Sequence, residues 1–286
     1  MSILQNKIDF EAIIEVKNAN PNGDPLNGNM PRTTYDGLGE ISDVCIKRKI
    51  RNRLMDMGEN IFVQSDDKNA DGYRSLRDRA EANPKFKEEL SKGKKADGEK
   101  AAKVACEEWM DVRSFGQVFA FKGTELSLGI RGPVSVQSAF SIEPVDITSL
   151  HITKSVNGES KEGKASDTMG AKHRVDFGVY ILKGAINVQL AEKTGFTEED
   201  AEKIKEAIRT LFVNDSSSAR PEGTMQVAKL YWWKHNCKIG QYSSKKVHDS
   251  VKVTLKEDVE TATSIEDYEI TLNALEGLKP EIYEGL

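Results

Sequence analysis

The chain has 286 residues, 38% hydrophobic and 30% charged, which is enough for one large or two modest domains with a real core. A formal charge of −5 argues at first sight against a nucleic-acid partner, but from Lys256 to Leu286 nine acids face two lysines, so that segment carries −7 and residues 1–255 carry +2. Cys45, Cys106 and Cys237 are widely spaced with no CxxC pair, which argues against a disulfide framework or zinc knuckle. No apolar run approaches the roughly 20 residues a bilayer span needs, and MSILQNKIDF lacks the core of a signal peptide, so a cytoplasmic protein with no membrane partner is expected.

Ile8, Phe10, Ala12, Ile14 and Val16 alternate and predict a half-buried strand. Asn18 to Asp36, NANPNGDPLNGNMPRTTYD, then supplies Asn, Gly and Pro in place of apolar residues. A loop this long with so many free polar groups predicts a functional segment. Ile41 to Met57 predicts a helix with Ser42 or Asp43 as N-cap, a stripe of Val44, Ile46, Ile50, Leu54 and Met57, and a cationic face of Lys47, Arg48, Lys49, Arg51 and Arg53. With no acid between Val44 and Met55 these cations repel one another, which favours an anionic partner over a merely solvated face.

Residues 60–108 are charge-dense and poor in apolar residues, with short helices expected around Tyr73 to Ala82 and Lys100 to Trp109; they read as an insertion between core elements. Asp111 to Pro144 is expected to be strands, broken near Pro133, which cannot donate to a ladder. Arg113, Ser114, Phe115 and Gln117 on such a sheet face would offer an RNA backbone charge, amide and aromatic together; the plainer alternative is a set of outward strand residues.

His151 to Arg174 is rich in Gly, Ser and Lys and predicts a protruding hairpin, after which Arg174 to Val188 alternates as a strand. Thr197 to Phe212 carries the clearest helix signature: Thr197 as cap, Asp200 as its box partner, and Ala201, Ile204, Ala207, Ile208 and Leu211 as the buried stripe. MQVAKLYWWKH is expected as a strand with one of Trp232 and Trp233 facing in and the other out. VHDSVKVTLKED is expected as the last strand, followed by an acidic tail that packs on a neighbouring copy, masks an RNA surface or is simply solvated. Stripped of insertions, the order is βαββαβ, an α+β ferredoxin-like sheet with helices on one face.

The four histidines are scattered, His235 and Cys237 alone make no metal site, and no GxGxxG, Walker or GxSxG pattern is present, so neither cofactor nor metal is expected. This profile favours binding over catalysis.

Four ordered stretches, NPNGDP at Asn20 to Pro25, PRTTYDG at Pro31 to Gly37, DVRSFGQVF at Asp111 to Phe119 and IRGPVSVQSAF at Ile130 to Phe140, resemble the repeated backbone subunit of a CRISPR Cascade effector, the seventh Cas protein family, in its type I-C (Dvulg) form. The resemblance implies a hand-like α+β protein. Its RRM-like palm would be residues 1–59, 109–150 and 175–255, its helical fingers 60–108 and its thumb hairpin 151–174, with an acidic segment at 256–286. It also implies that copies stack along a guide RNA (crRNA), beside a 5′-handle-processing subunit and a large subunit, and display the guide for pairing with target DNA.

Carried over to this chain, the resemblance implies no catalytic residue. It places Asn20, Asn22 and Arg32 beside the guide backbone and makes Lys47, Arg48, Arg51, Arg113 and Arg131 phosphate contacts. Ser135 and Gln137 would bond ribose or phosphate, and Thr168, Met169, His173 and Arg174 would belong to the thumb, with Met169 able to wedge against a base. The competing expectation is a metal-dependent ribonuclease using Asp24 or Asp36, since related type III subunits cleave RNA with an Asp in this loop.

Overall fold

A computed structural model describes residues 2–92, 96–124, 127–153, 155 and 169–286. The chain opens with β1 (Ile8–Ala19), a short hairpin of β2 (Gly23–Asp24) and β3 (Met30–Pro31), β4 (Leu38–Ile41) and α1 (Asp43–Asp56). Next come α2 (Leu76–Ala82), α3 (Pro84–Ser91), α4 (Gly98–Glu108) and α5 (Met110–Phe115), then β5 (Gly116–Ala120), β6 (Ser127–Arg131), β7 (Val134–Val136), β8 (Ala139–Pro144) and β9 (Ile147–Thr153). The remainder is β10 (Met169–Ile186), α6 (Val188–Thr194), α7 (Glu198–Arg209), β11 (Met225–Lys234), α8 (Ser244–His248), β12 (Val251–Leu255), β13 (Tyr268–Leu272) and β14 (Glu281–Glu284).

The main sheet runs β14-β11-β1-β10-β8-β4, with β7 and β9 also on β10, and every pairing is antiparallel. α1 and α7 cover one face, where Phe10, Ile14, Ile50, Leu54, Ile204, Ile208 and Trp232 form the principal core. Ser42 caps α1 through Cys45 N, and the box of Thr197 and Asp200 closes the start of α7, as the sequence predicts.

The opposite face is not open over β1. Ile13, Tyr231, Trp233, Val247, Val251, Tyr268 and Leu278 make a second core there. β1 is therefore buried on both sides, and even Asp9 and Glu11 are inaccessible. Trp232 and Trp233 do face opposite ways, but both are buried, because residues 235–278 lie over the side expected to be wet. The acidic segment is correspondingly not a loose tail. β13 pairs with β12, β14 extends the sheet beside β11, and Glu281 meets Lys205 at 2.9 Å.

A third core gathers Phe62, Phe86, Trp109 and Phe119, with ring centroids 4.7 to 5.6 Å apart in the closest pairs, beneath α2–α4 and the β5–β6 hairpin. Here one expectation fails. Asp111 to Phe115 is helix, not strand, and the strand begins only at Gly116. The alternation in DVRSF is outweighed by the tertiary needs of Asp111, whose buried carboxylate accepts from Phe62 N (2.7 Å), Val63 N (3.1 Å) and Arg51 Nε (2.8 Å). Gly116, at φ +80°, makes the turn out of the helix, and a Cβ there would sit 2.2 Å from Ile130 O.

β9 and the first turns of β10 form a two-stranded arm, with Met169 opposite Thr153 and Val175 opposite Ile147. Opposed residues share a face of the ribbon, so Met169, His151, Ser149 and His173 lie on one side and Leu150, Ile152, Lys172 and Arg174 on the other. The strand expected over Arg174 to Val188 ends at Ile186, and Val188 instead opens the helix α6, capped by Asn187.

Candidate nucleic-acid interface

The segment from Asn18 to Asp36 is a pair of hydrogen-bonded turns. Asn18 takes φ +57°, which Asn tolerates, inside the last stretch of β1, whose pairing resumes against Val175 at Ala19. Asn20 is buried, with Nδ2 donating to Asn29 O at 2.7 Å and its backbone N to Ala219 O at 2.9 Å. Asn22 Oδ1 accepts from both Ser42 N (2.9 Å) and Ser42 Oγ (2.7 Å), so it anchors the cap of α1. Arg32 reaches Asp24 at 3.3 Å while Asp24 also caps the turn at Leu26 N. Asn20 and Asn22 therefore shape the segment, and Arg32 is the cation it presents. Leu26 and Tyr35 stand fully in solvent at the two tips.

The cations of α1 are not uncompensated, which corrects the expectation from local sequence. Lys47 pairs with Asp43 at 3.0 Å on the surface. Arg48 donates to Val63 O at 2.6 Å, and burial holds its pKa below the usual guanidinium value. Lys49 is buried against Asp215, and burial pulls its pKa down while Asp215 opposes that shift. Arg51 meets the buried Asp111 and lies over the Phe115 ring, 5.0 Å from its centroid. Arg53 donates to Thr210 Oγ1 at 2.7 Å. The acids that meet Lys47, Arg51 and Lys49 all lie outside Val44 to Met55, at positions 43, 111 and 215.

Arg113 is likewise engaged, gripping Asp200 with Nε at 2.9 Å and Nη2 at 2.8 Å and donating to Cys106 O at 2.7 Å. It ties α5 to the start of α7. Arg131, by contrast, pairs through its backbone with Gly116 at the end of β6, and its exposed side chain has no hydrogen-bond or ion-pair partner among the described residues. Ser135 and Gln137 are exposed on the face of the sheet opposite α1, and the register places them beside Ala185 and Lys183. On the arm Met169 is 68% exposed, His173 Nδ1 lies 2.8 Å from Ser149 Oγ and Arg174 reaches Asp176 at 3.4 Å; Thr168 lies outside the described residues.

Arg131, Ser135 and Gln137 follow one another closely in sequence, while Met169, His173 and Arg174 cluster on the arm; Arg113 and Arg51 are drawn into the interior. The register adds two residues that composition did not single out, His151 on the arm beside His173 and Lys183 beside Gln137. Strand parity alone would have found both had the pairing been known. Ser138, at the irregular step between β7 and β8, accepts from Asp43 N at 3.3 Å and fixes the start of α1 against this edge. Among the described residues no group of three His, Cys, Asp or Glu side chains is arranged to hold a metal ion, and no helix is long and apolar enough to cross a membrane.

The sequence model of one family, CRISPR-associated protein Cas7, matches residues 6–273. The chain belongs to the Cas7 family. A curated Cas7 protein of Haloferax volcanii is 24% identical over 246 residues, covering 79% of this chain and 69% of the relative. Weaker likenesses join it to a chain of a solved "CRISPR RNA-guided surveillance complex, pre-nicking" (16% identity, TM-score 0.49, 79% of this chain and 78% of that one) and to a chain of a "CRISPR RNA-guided surveillance complex" (16%, 0.40, 79% and 68%). At such TM-scores neither adds to the family assignment.

Proposed function

We propose that this Cas7 protein is a non-catalytic, guide-RNA-binding backbone subunit of a type I-C CRISPR Cascade surveillance complex, several copies of which line one crRNA and present it to target DNA. The observation that carries the proposal is the exposed β9–β10 arm, with Met169 and two imidazoles on one face, in a chain matched to the Cas7 family over residues 6–273. Soft, flat side chains on an arm suit unstacked bases, while the cations suit a backbone whose sequence varies from copy to copy. The strand order supports an RRM-like palm: β11, β1, β10 and β7/β8 stand as the fourth, first, third and second strands of βαββαβ, with α1 and α7 as the two helices. The helices of 60–108 would be the fingers and the arm the thumb. The 5′-handle and large subunits of Cascade are the further partners this assignment entails.

The revised contact set is Arg32, Lys47, Arg131, Ser135, Gln137, Met169, His173 and Arg174, with Asn20, Asn22, Arg48, Arg51 and Arg113 positioning the elements that carry them. Co-expression with a crRNA, followed by native mass spectrometry and nuclease protection, tests the assignment. Multiple copies per RNA with regularly spaced protection are expected, and Arg131→Ala with Lys47→Ala should lower RNA affinity and reduce the salt slope by about 0.7 per lost single-strand phosphate contact. A single copy per RNA, or a slope that does not move, would refute it. Asp24 already serves Leu26 N and Arg32, which favours a turn role for it. Cleavage of bound complementary RNA with Mg²⁺, abolished by Asp24→Ala or Asp36→Ala, would establish the ribonuclease instead.

A further inference from the structure

The strip of sheet next to β7 holds a buried acid beneath an accessible lysine. Glu11 on β1 stands opposite Lys183 on β10 and Tyr231 on β11. Gln137 N donates to Lys183 O at 2.9 Å, and Ser135 stands opposite Ala185, so Ser135, Gln137, Lys183 and Glu11 share one face. Ser135 and Gln137 are exposed, and Lys183 keeps a third of its side chain in solvent. Glu11 is 1% exposed, and its Oε2 has no hydrogen-bond partner among the described residues.

Lys183 Nζ lies 4.0 Å from that oxygen, beyond hydrogen-bonding distance. The other groups facing Glu11 do not neutralise it. Asp249, just after α8, adds a second negative charge and has Lys245 at 2.6 Å as its own partner. His248 donates through Nε2 to Gly184 O, 3.1 Å away, and burial holds its pKa below the usual imidazole range. Tyr231 is raised by burial and by Glu11 itself, and Asp9, two residues along β1, is taken up by His235 and Lys7. Burial therefore pushes the Glu11 carboxyl up to about 8, against the pull of Lys183. At neutral pH the acid is uncharged and leaves the charge of Lys183 uncancelled.

We propose that Lys183, with Ser135 and Gln137, contacts a phosphate of the bound nucleic acid, and that the protonation state of Glu11 beneath it sets how much charge Lys183 offers. This rests on the guide-RNA assignment above and adds to it a contact residue and a pH dependence. One accessible cation beside Gln137 and diagonal to Ser135 on the same face matches a phosphodiester: one charge and several acceptor oxygens. When Glu11 ionises, as pH rises through about 8, a negative charge appears next to Lys183 and the phosphate must compete with it.

The test uses the full chain and a fluorescent, unstructured single-stranded RNA, with affinity measured across salt and across pH from about 6.5 to 9, a range that brackets the Glu11 titration at about 8. Lys183→Met should reduce the salt slope by about 0.7, and Lys183→Arg should restore it. Glu11→Gln should bind like the parent at the acidic end and lose less affinity at the alkaline end. Thermal unfolding of each variant separates a folding defect from a binding one, and Lys183→Arg keeps the question decidable if the Met variant unfolds. RNA binding by the parent with the Lys183→Met slope unchanged would overturn the contact while sparing the guide-RNA assignment. Parallel pH curves for parent and Glu11→Gln would overturn the coupling. Failure of the parent to bind RNA at any salt would overturn both.

Discussion

Arg113→Met separates a structural from an RNA-binding role for the arginine that local sequence most invited as an RNA contact. Its guanidinium makes two bonds to Asp200, at 2.8 and 2.9 Å, and Asp200 is only 3% exposed. Asp200 also accepts from Thr197 N at 2.9 Å in the capping box of α7. Methionine fills much of the arginine stem's volume but leaves the carboxylate in the interior with that single bond. Removing one partner of a buried pair costs roughly 3–5 kcal/mol, because the remaining charge is uncompensated. At about 2–4 °C per kcal/mol for a chain of this size, the midpoint should fall by roughly 6–20 °C. The assay is thermal unfolding followed by circular dichroism, paired with RNA affinity against salt below the variant's transition. The salt slope should stay at the parental value. A midpoint shift under about 2 °C together with a slope reduced by about 0.7 would refute the reasoning and return Arg113 to the RNA interface.

Asp111→Ala removes the acceptor for Phe62 N, Val63 N and Arg51 at once; a loss of about 3–5 kcal/mol is expected, with hydrogen exchange accelerated first at residues 61–64, and unchanged exchange there would count against it. Gly184→Ala would place a Cβ 2.2 Å from Phe10 Cζ and 2.6 Å from Ser135 O, so denaturant midpoints should fall by at least the roughly 1–3 kcal/mol of an overpacked core; a neutral substitution would show that β7 can move away freely. Burial would raise the Asp9 carboxyl, but hydrogen bonds from His235, Ser244 and Lys7 outweigh it and hold the group below the ordinary 3.8. Its stabilisation is therefore complete above that value and lost as pH falls through the lower folded one. Asp9→Asn should be less stable at neutral pH yet show a flatter acid limb in urea unfolding, and parallel limbs would contradict the pair.

Much of the candidate site was legible because its signals are local. Asn18, Gly28 and Asn29 take left-handed backbone conformations that few residues adopt, and Ser42, Thr197 and Asp200 announce their helices through bonds that span three residues. The Gly, Ser and Lys of His151 to Arg174 likewise point to a hairpin, and β9 pairs with β10 at its base. The charge reading of α1 failed for the opposite reason. Lys49 meets Asp215 and Arg51 meets Asp111 across 166 and 60 residues, and no inspection of one helix can see such partners. The same blindness turned Asp111 to Phe115 into a strand: its alternation is real, but Asp111 is needed under Phe62 and Val63, and only the helix delivers it there.

The sequence by itself determined β1, the helices α1 and α7 with their caps, the loop after β1 and, through four short motifs, the family, since each depends on neighbours within a few residues or on a short pattern of residue types. Tertiary structure alone decided which charges are free. It buried Trp233 and Glu11 by laying residues 235–278 over the sheet, wove the acidic segment into β13 and β14, spent Arg51 and Arg113 on distant carboxylates, and left Arg131 and Lys183 at the surface. A charge is available to a ligand only when no opposite charge lies nearer, and in a folded chain that distance is set by the pairing of strands far apart in sequence.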